Sequence, residues 1–432
     1  MSFLADLLST LLERGHSGAQ GKLSSASLRE LCEALLGTSG EVSGSVLARQ
    51  VLDRYRSQDE SGRWSFFRHL ADELDVDPDA IAAAAAAVRE DNSLKAYRGL
   101  MAVTEPRRQE LIRRLNQVPG ATEQLVAMRT DLLRFIKDTP DLGRIDYDFR
   151  HLFASWFNRG FLVLRPISWQ SPANILEKII AYEAVHAITS WDDLRRRLEP
   201  QDRRCFAFFH PAMPEEPLIF VEVALTKGVP GSVQKVLAEE REEMSPDQAD
   251  TAVFYSISNC QPGLAGISFG NSLIKQVVAD LSRELPQLRT FVTLSPIPGF
   301  TKWMRAQGMG EALMASATED EYETLAKRSD EVRALAAHYL INAKRDNGSP
   351  YDPVARFHLT NGALVHDVHA LADISPNGLK QSCGAMVNYL YDIAKVEANH
   401  EAMATDNRVI ASRGVEALAK AAQLPQPKKK EH

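Results

Sequence analysis

Cysteine is scarce in this chain, with four in 432 residues at positions 32, 205, 260 and 383 and no Cys-x-x-Cys pair. That spacing offers neither a disulfide framework nor a thiolate zinc knuckle, and it makes a reducing, cytoplasmic compartment the expectation. An excess of positive charge is also missing: 50 Lys and Arg stand against 57 Asp and Glu, a formal net charge of -7. A protein whose main task is to hold nucleic acid needs broad basic surfaces, so that class is excluded, while a phosphorylated small ligand at a local basic patch is not. No apolar run approaches the roughly eighteen residues that a membrane-crossing helix requires. The opening residues lack the basic start of a signal peptide, and Leu4, Leu7, Leu8, Leu11 and Leu12 recur at the spacing of an amphipathic helix. The final stretch, Leu424 to His432, reads as a solvated tail without a Ser-Lys-Leu ending.

What is present is an ordinary globular composition, 44% hydrophobic and 25% charged, in a chain long enough for two sizeable cores. Up to about residue 158 the signals are almost all helical. Ser27-Leu28-Arg29-Glu30 forms a capping box, Ile81 to Val88 carries six alanines and reads as a tightly packed helix, and further helices are predicted over Arg107 to Leu115 and Thr122 to Ile136. From residue 159 the texture changes. Strand-length apolar runs appear at Phe161 to Leu164, Cys205 to Phe209, Leu218 to Leu225, Ala252 to Ser258 and Thr290 to Leu294. Helices alternate with them, one opened by Ser171-Pro172 and one with Leu273, Ile274, Val277, Val278 and Leu281 on a single face. The fold class is therefore α+β in two domains, an all-helical bundle over 1–158 and a mixed α/β domain over 159–432.

Several constellations in the second domain can carry chemistry. Gly266-Ile267-Ser268-Phe269-Gly270 matches the Gly-x-Ser-x-Gly elbow, and Ser268, Asp352 and His358 follow in hydrolase order. That elbow needs a strand running straight into the serine, and here Asn259 to Gly263 intervenes. Ser272-Leu273-Ile274-Lys275 matches a Ser-x-x-Lys pair without its companion motifs. The same stretch also reads as a loop bearing Gly263, Gly266 and Gly270 ahead of a helix, either a cradle for phosphate reinforced by Lys275 or a plain strand-to-helix turn. Next, Thr293 to Phe300 delivers Ser295 into a segment stiffened by Pro296 and Pro298, which suits a preorganised catalytic group or a simple Ser-Pro turn. His358 stands before Asn361-Gly362, where a histidine can titrate near neutrality. A metal site from His358, His366 and His369 lacks a fourth ligand, so no metal is expected.

These residues lie within longer strings that resemble one family. Trp156 to Leu162, Glu183 to His186, Glu216 to Leu218, Val223 to Thr226, Phe254 to Ser258, Leu294 to Trp303, Phe357 to Leu359, Asn361 to Ala363, Ser382 to Gly384 and Asn388-Tyr389 follow in the order found in malonyl-CoA decarboxylases. The resemblance implies a helical N-terminal domain used for oligomer contacts, a homotetramer, and a catalytic domain similar to the acyl-CoA N-acetyltransferase fold. It implies decarboxylation of malonyl-CoA to acetyl-CoA and carbon dioxide without metal or organic cofactor, with no nucleic-acid or membrane partner. By carry-over, Ser295 and His358 are the catalytic pair, and Ala265, Gly266, Ile267, Ser268, Phe269, Gly270 and Asn271 form the CoA-binding loop. Lys178 matches a lysine that supports activity, and Lys275, Lys302 and Arg305 are candidates for the CoA phosphates. Ser268 falls where relatives can carry an acid, which weakens it as a nucleophile. The alternatives are an acyl-CoA-dependent acyltransferase and a non-catalytic CoA-binding regulator, which differ in needing an acceptor or showing no turnover.

Overall fold

The computed structural model describes residues 26–267, 272–309, 323 and 325–424, with only the backbone of Ser272 and Leu273. The leucine-rich opening, the tail beyond Leu424 and the loop residues Ser268, Phe269, Gly270 and Asn271 lie outside the described residues. The described chain divides into two compact units, one formed by residues 26–161 with 211–214 and 261–267, the other by the remainder.

The first unit is helical: α1 (Leu28–Gly37), α2 (Glu41–Arg56), α3 (Glu60–Asp72), α4 (Pro78–Glu90), α5 (Leu94–Thr104), α6 (Arg107–Leu115), α7 (Ala121–Phe135) and α8 (Gly143–Trp156). The capping box opens α1 as expected, since the Glu30 amide donates to Ser27 Oγ and the Ser27 amide donates back to the Glu30 carboxylate at 2.8 Å. Leu31, Val51, Phe67, Leu70, Leu111, Leu125, Leu132, Phe149 and Phe153 make the core. The alanine-rich segment departs from its predicted packing. Neither α4 nor α5 contains a buried residue, and the two pair with each other. Alanine's intrinsic preference, an Asp77 cap and Pro78 in the first turn form α4, and burial in the core contributes little.

The second unit is built on an eight-stranded mixed sheet: β1 (Val163–Ile167), β2 (Arg203–His210), β3 (Met213–Thr226), β4 (Thr251–Asn259), β5 (Thr290–Thr293), β6 (Ser295–Pro296), β7 (Leu364–His369) and β8 (Met386–Leu390). The order is β1-β2-β3-β4-β5-β8-β6 with β7 paired to β8, and β4 and β5 run parallel. The strand predicted at Phe161 begins later, at Val163, and runs through Pro166. Proline lacks the amide a central strand must donate, and β1 tolerates it because it is the edge of the sheet. Helices cover both faces: α9 (Ala173–Tyr182), α10 (Trp191–Leu198), α11 (Val233–Leu237), α12 (Ser272–Glu284), α13 (Phe300–Ala306), α14 (Ser329–Asn342), α15 (Pro353–Thr360), α16 (Pro376–Ser382), α17 (Val396–Asp406) and α18 (Arg413–Ala421).

Side chains alternate across β5, so Phe291 enters one core with Ala355 and Leu359 of α15, while Val292 and Leu294 enter another with Val233 and Val236 of α11. Thr293 and Ser295 therefore share the face that α15 covers. The expected fold class, a helical N-terminal part and a mixed α/β part, is the one observed. No described helix is long and apolar enough to cross a membrane.

Candidate active site

Ser295 is fixed by its neighbours in sequence and in space. Pro296 restricts its backbone to the extended region, and Ser295 pairs with Val387 of β8. The partner histidine arrives on α15, whose start is specified by Asp352. Its Oδ1 accepts from the Val354 and Ala355 amides at 2.8 and 3.0 Å, and Pro353 fills the first helical position. One turn on, His358 is 2% exposed and Ser295 6% exposed.

The two side chains meet. Ser295 Oγ lies 3.2 Å from His358 Nε2 and donates to Thr293 Oγ1 at 2.8 Å. On the other side of the ring, His358 Nδ1 is 2.9 Å from the Tyr391 hydroxyl. With the serine proton directed to Thr293, Ser295 Oγ accepts from Nε2–H, and Nδ1 accepts from Tyr391. Burial raises the Tyr391 phenol well above its ordinary range, so it keeps the proton it donates. The Tyr389 ring stacks on the imidazole at 4.5 Å between centroids and 21° between planes, and the Tyr389 amide donates to Thr293 Oγ1 at 3.1 Å.

This environment corrects the expectation that His358 titrates near neutrality. Burial pushes its pKa down to about 3, so the ring is neutral at physiological pH. A neutral imidazole with one N–H and one lone pair can pass a proton between two hydroxyls.

Other sequence candidates settle elsewhere. Asp352 does not form the third member of a hydrolase triad, because Nδ1 of His358 faces Tyr391, and Asp352 Oδ2 accepts from the Gly299 amide at 3.2 Å and the Tyr339 hydroxyl at 3.3 Å. His366 sits at the bulge that interrupts the β7–β8 register between Val365 and Asp367, and His369 Nε2 lies 2.5 Å from Asn388 Oδ1. Among the described residues no cluster of three His, Cys, Asp or Glu could hold a metal. Lys178 donates to the Glu215 carbonyl at 3.0 Å and ion-pairs with Glu216, tying α9 to β3. Lys275 is paired with Glu397 at 2.8 Å, and Lys302 and Arg305 lie on the exposed side of α13.

The glycines of the loop after β4 have different reasons to be glycine. A Cβ on Gly263 would stand 1.9 Å from the Val126 carbonyl oxygen, whereas Gly266 adopts φ +74°. Ala265 and Gly266 are exposed and Ile267 is buried.

Sequence reasoning missed Tyr391 as a partner of His358. Its signal was available in Tyr389-Leu390-Tyr391, because residues two apart in extended chain share a face.

A mixed α/β unit thus carries a buried hydroxyl–imidazole–phenol chain, the arrangement of donors and acceptors that proton transfer requires. Comparison with known proteins gives the family. The malonyl-CoA decarboxylase N-terminal domain profile matches residues 74–157, and the C-terminal domain profile matches residues 160–430. The mitochondrial malonyl-CoA decarboxylase of the goose Anser anser anser is 38% identical over 348 residues, 72% of this chain and 69% of that protein. The crystal structure of malonyl-CoA decarboxylase from Rhodopseudomonas palustris is 51% identical with a TM-score of 0.85, covering 90% of this chain and 98% of that one. The corresponding structure from Agrobacterium vitis is 48% identical, also at 0.85, covering 91% and 99%. The chain belongs to the malonyl-CoA decarboxylase family, as its sequence strings led one to expect.

Proposed function

We propose that this protein converts malonyl-CoA to acetyl-CoA and carbon dioxide, with Ser295 and His358 carrying the reaction. The observation that supports the pair is the chain Thr293–Ser295–His358–Tyr391, continuous through four side chains and closed to bulk water.

The chemistry follows from the substrate. The bond between the carboxylate and the methylene carbon breaks, and its electron pair enters the thioester to form an enolate as carbon dioxide leaves. The thioester carbonyl is itself the electron sink, so this reading needs no organic cofactor and no metal. The protein must place hydrogen-bond donors where the enolate oxygen develops charge and deliver one proton to the new methyl carbon. A dry pocket strengthens those donors and strips water from the carboxylate. Ser295 hydrogen-bonds the malonyl group, and His358 supplies the proton from Nε2, directly or through the serine hydroxyl, while Nδ1 accepts the Tyr391 proton, which solvent replaces when the product leaves. Because Tyr391 holds Nδ1, the ring stays in the tautomer that presents Nε2–H to the serine.

The loop Ala265 to Asn271 serves as the coenzyme site, and Lys178 supports activity indirectly by holding α9 on β3. The helical region, 1–158, contributes oligomer contacts to a homotetramer. Its exposed Leu94, Tyr97 and Met101 on α5 supply an apolar stripe for such a contact.

Purified protein incubated with malonyl-CoA in buffer containing EDTA should form acetyl-CoA and carbon dioxide in equal amounts. Coenzyme binding without turnover, or turnover only with an amine acceptor, would overturn the reading in favour of a regulator or a transferase.

A further inference from the structure

The helical unit contains a small polar assembly around the described part of the loop after β4. Arg129 on α7 is 1% exposed, and its Nη1 donates to the carbonyls of Gly263 at 2.7 Å and Ala265 at 2.9 Å. Its Nε is held by Asp146 of α8 at 2.8 Å. A buried guanidinium held by a carboxylate at Nε and by two carbonyls at Nη1 acts as a clamp on this turn. The clamp has a geometric consequence. In a trans peptide the C=O and the following N–H point in opposite directions, so fixing the Ala265 carbonyl towards Arg129 aims the Gly266 N–H away from it, at an exposed residue.

Asp146 has a same-face neighbour one turn on in the helix. Arg150 follows it by four residues and lies on the same face of α8. The Cζ, Nε and Nη2 atoms of Arg150 each lie 3.8 Å from the point where a Cβ on Gly266 would stand, which places the guanidinium against this glycine. Arg150 is exposed and makes no ion pair with any described residue. One helix thus anchors the clamp with Asp146 and, a turn later, offers a cation beside the amide that the clamp presents.

We propose that Arg150 binds a phosphate of the coenzyme moiety of the substrate, with Arg129 as the positioning residue that aims the Gly266 amide at the same group. The ligand class is a phosphate ester or nucleoside diphosphate, which a planar guanidinium and a backbone N–H recognise together. This inference rests on the reading of the loop as a coenzyme site, and it brings to that site two arginines of the helical unit.

The test compares Arg150→Gln and Arg150→Lys with the unaltered full-length protein, using coenzyme A and pantetheine as calorimetric probes and malonyl-CoA and malonyl-pantetheine as substrates. Pantetheine compounds keep the thioester arm and lack the phosphates. Arg150→Gln should weaken coenzyme A binding about tenfold and lower the kcat/KM preference for malonyl-CoA over malonyl-pantetheine by a similar factor, through KM rather than kcat. Arg150→Lys should fall between. Arg129→Lys, which keeps charge but loses the planar fork, should shift KM in the same direction, and its thermal melt separates positioning from failure to fold. Coenzyme A affinity within twofold of the unaltered protein, or equal losses on both substrates, would overturn the proposal. If the unaltered protein fails to decarboxylate malonyl-CoA, the functional reading falls, and the coenzyme A titration still decides the role of Arg150.

Discussion

Two buried polar clusters in the α/β unit handle desolvation in opposite ways. Around Ser295 and His358 the groups are neutral, and each hydrogen bond hands on to the next. Around Glu222 on β3 the groups are ionisable. Arg197 of α10 donates to Glu222 at 3.2 Å, to the carbonyls of His186 and Ala187 at 2.8 and 3.3 Å, and to Asp193. Burial pushes the Glu222 carboxyl up to about 8 against the pull of Arg197, and its Oε1 finds no partner among the described residues. The contrast shows where each cluster's value lies. A charge taken out of water must be held by many fixed partners and resists change, whereas a neutral chain can shift protons at low cost.

The sharpest separation comes from deleting members of the neutral chain. Ser295→Ala and His358→Gln should each lower kcat on the order of 10^4-fold while thermal melting stays close to the unaltered protein, and the double variant should be little worse than either single one. Additive losses would mean that the pair does not act as a unit.

In the charged cluster the expected injury is to stability. Arg197→Met strips donors from two carbonyls, the Asp193 carboxylate and the Glu222 carboxyl group, and urea unfolding should report a loss of about 3 to 5 kcal/mol. Glu222→Gln keeps the shape and should cost much less, so equal losses would argue against the asymmetry described above.

Acidity pulls the two clusters apart. His358 has a folded pKa depressed to about 3 from 6.5, so its stabilising contribution is present above 6.5 and is lost as pH falls towards 3. Glu222 has a folded pKa raised to about 8 from 4.5, so its contribution is complete below 4.5 and is lost as pH rises through 8. Relative to the unaltered protein, His358→Gln should gain at acid pH and Glu222→Gln at alkaline pH, each by at most about 1.4 kcal/mol per pH unit in denaturant titrations. Slopes of the same sign would break the comparison.

The smallest effect belongs to Tyr391→Phe, which removes one hydrogen bond from the ring and should lower kcat about tenfold without changing the fold. An unchanged kcat would restrict Tyr391 to packing.

Much of this was legible in the linear chain. The core strands β2, β3, β4 and β5 stood out because each is a run of apolar residues buried on both faces, and α12 showed its buried stripe directly. The strands nearest the site were not legible. β6 is two residues long, β7 reads Leu-Val-His-Asp-Val-His, and β8 is five residues after a glycine, so none carries an apolar run distinct from a loop. Ser295 and His358 could be singled out through Pro296, Pro298 and the family strings, and the tight turn after β4 through its glycines.

By itself the sequence determined the helical and mixed halves, the capped start of α1, the stiff presentation of Ser295 and the family, since each depends on residues adjacent in the chain or on ordered strings. Tertiary structure alone decided that Ser295, 63 residues before His358, meets its Nε2. It also decided that Tyr391 rather than Asp352 takes the other nitrogen, and that the ring is neutral. Hydrogen-bond partners brought together by β8 and α15 and the loss of water around them are properties of packing, and no local spacing encodes them.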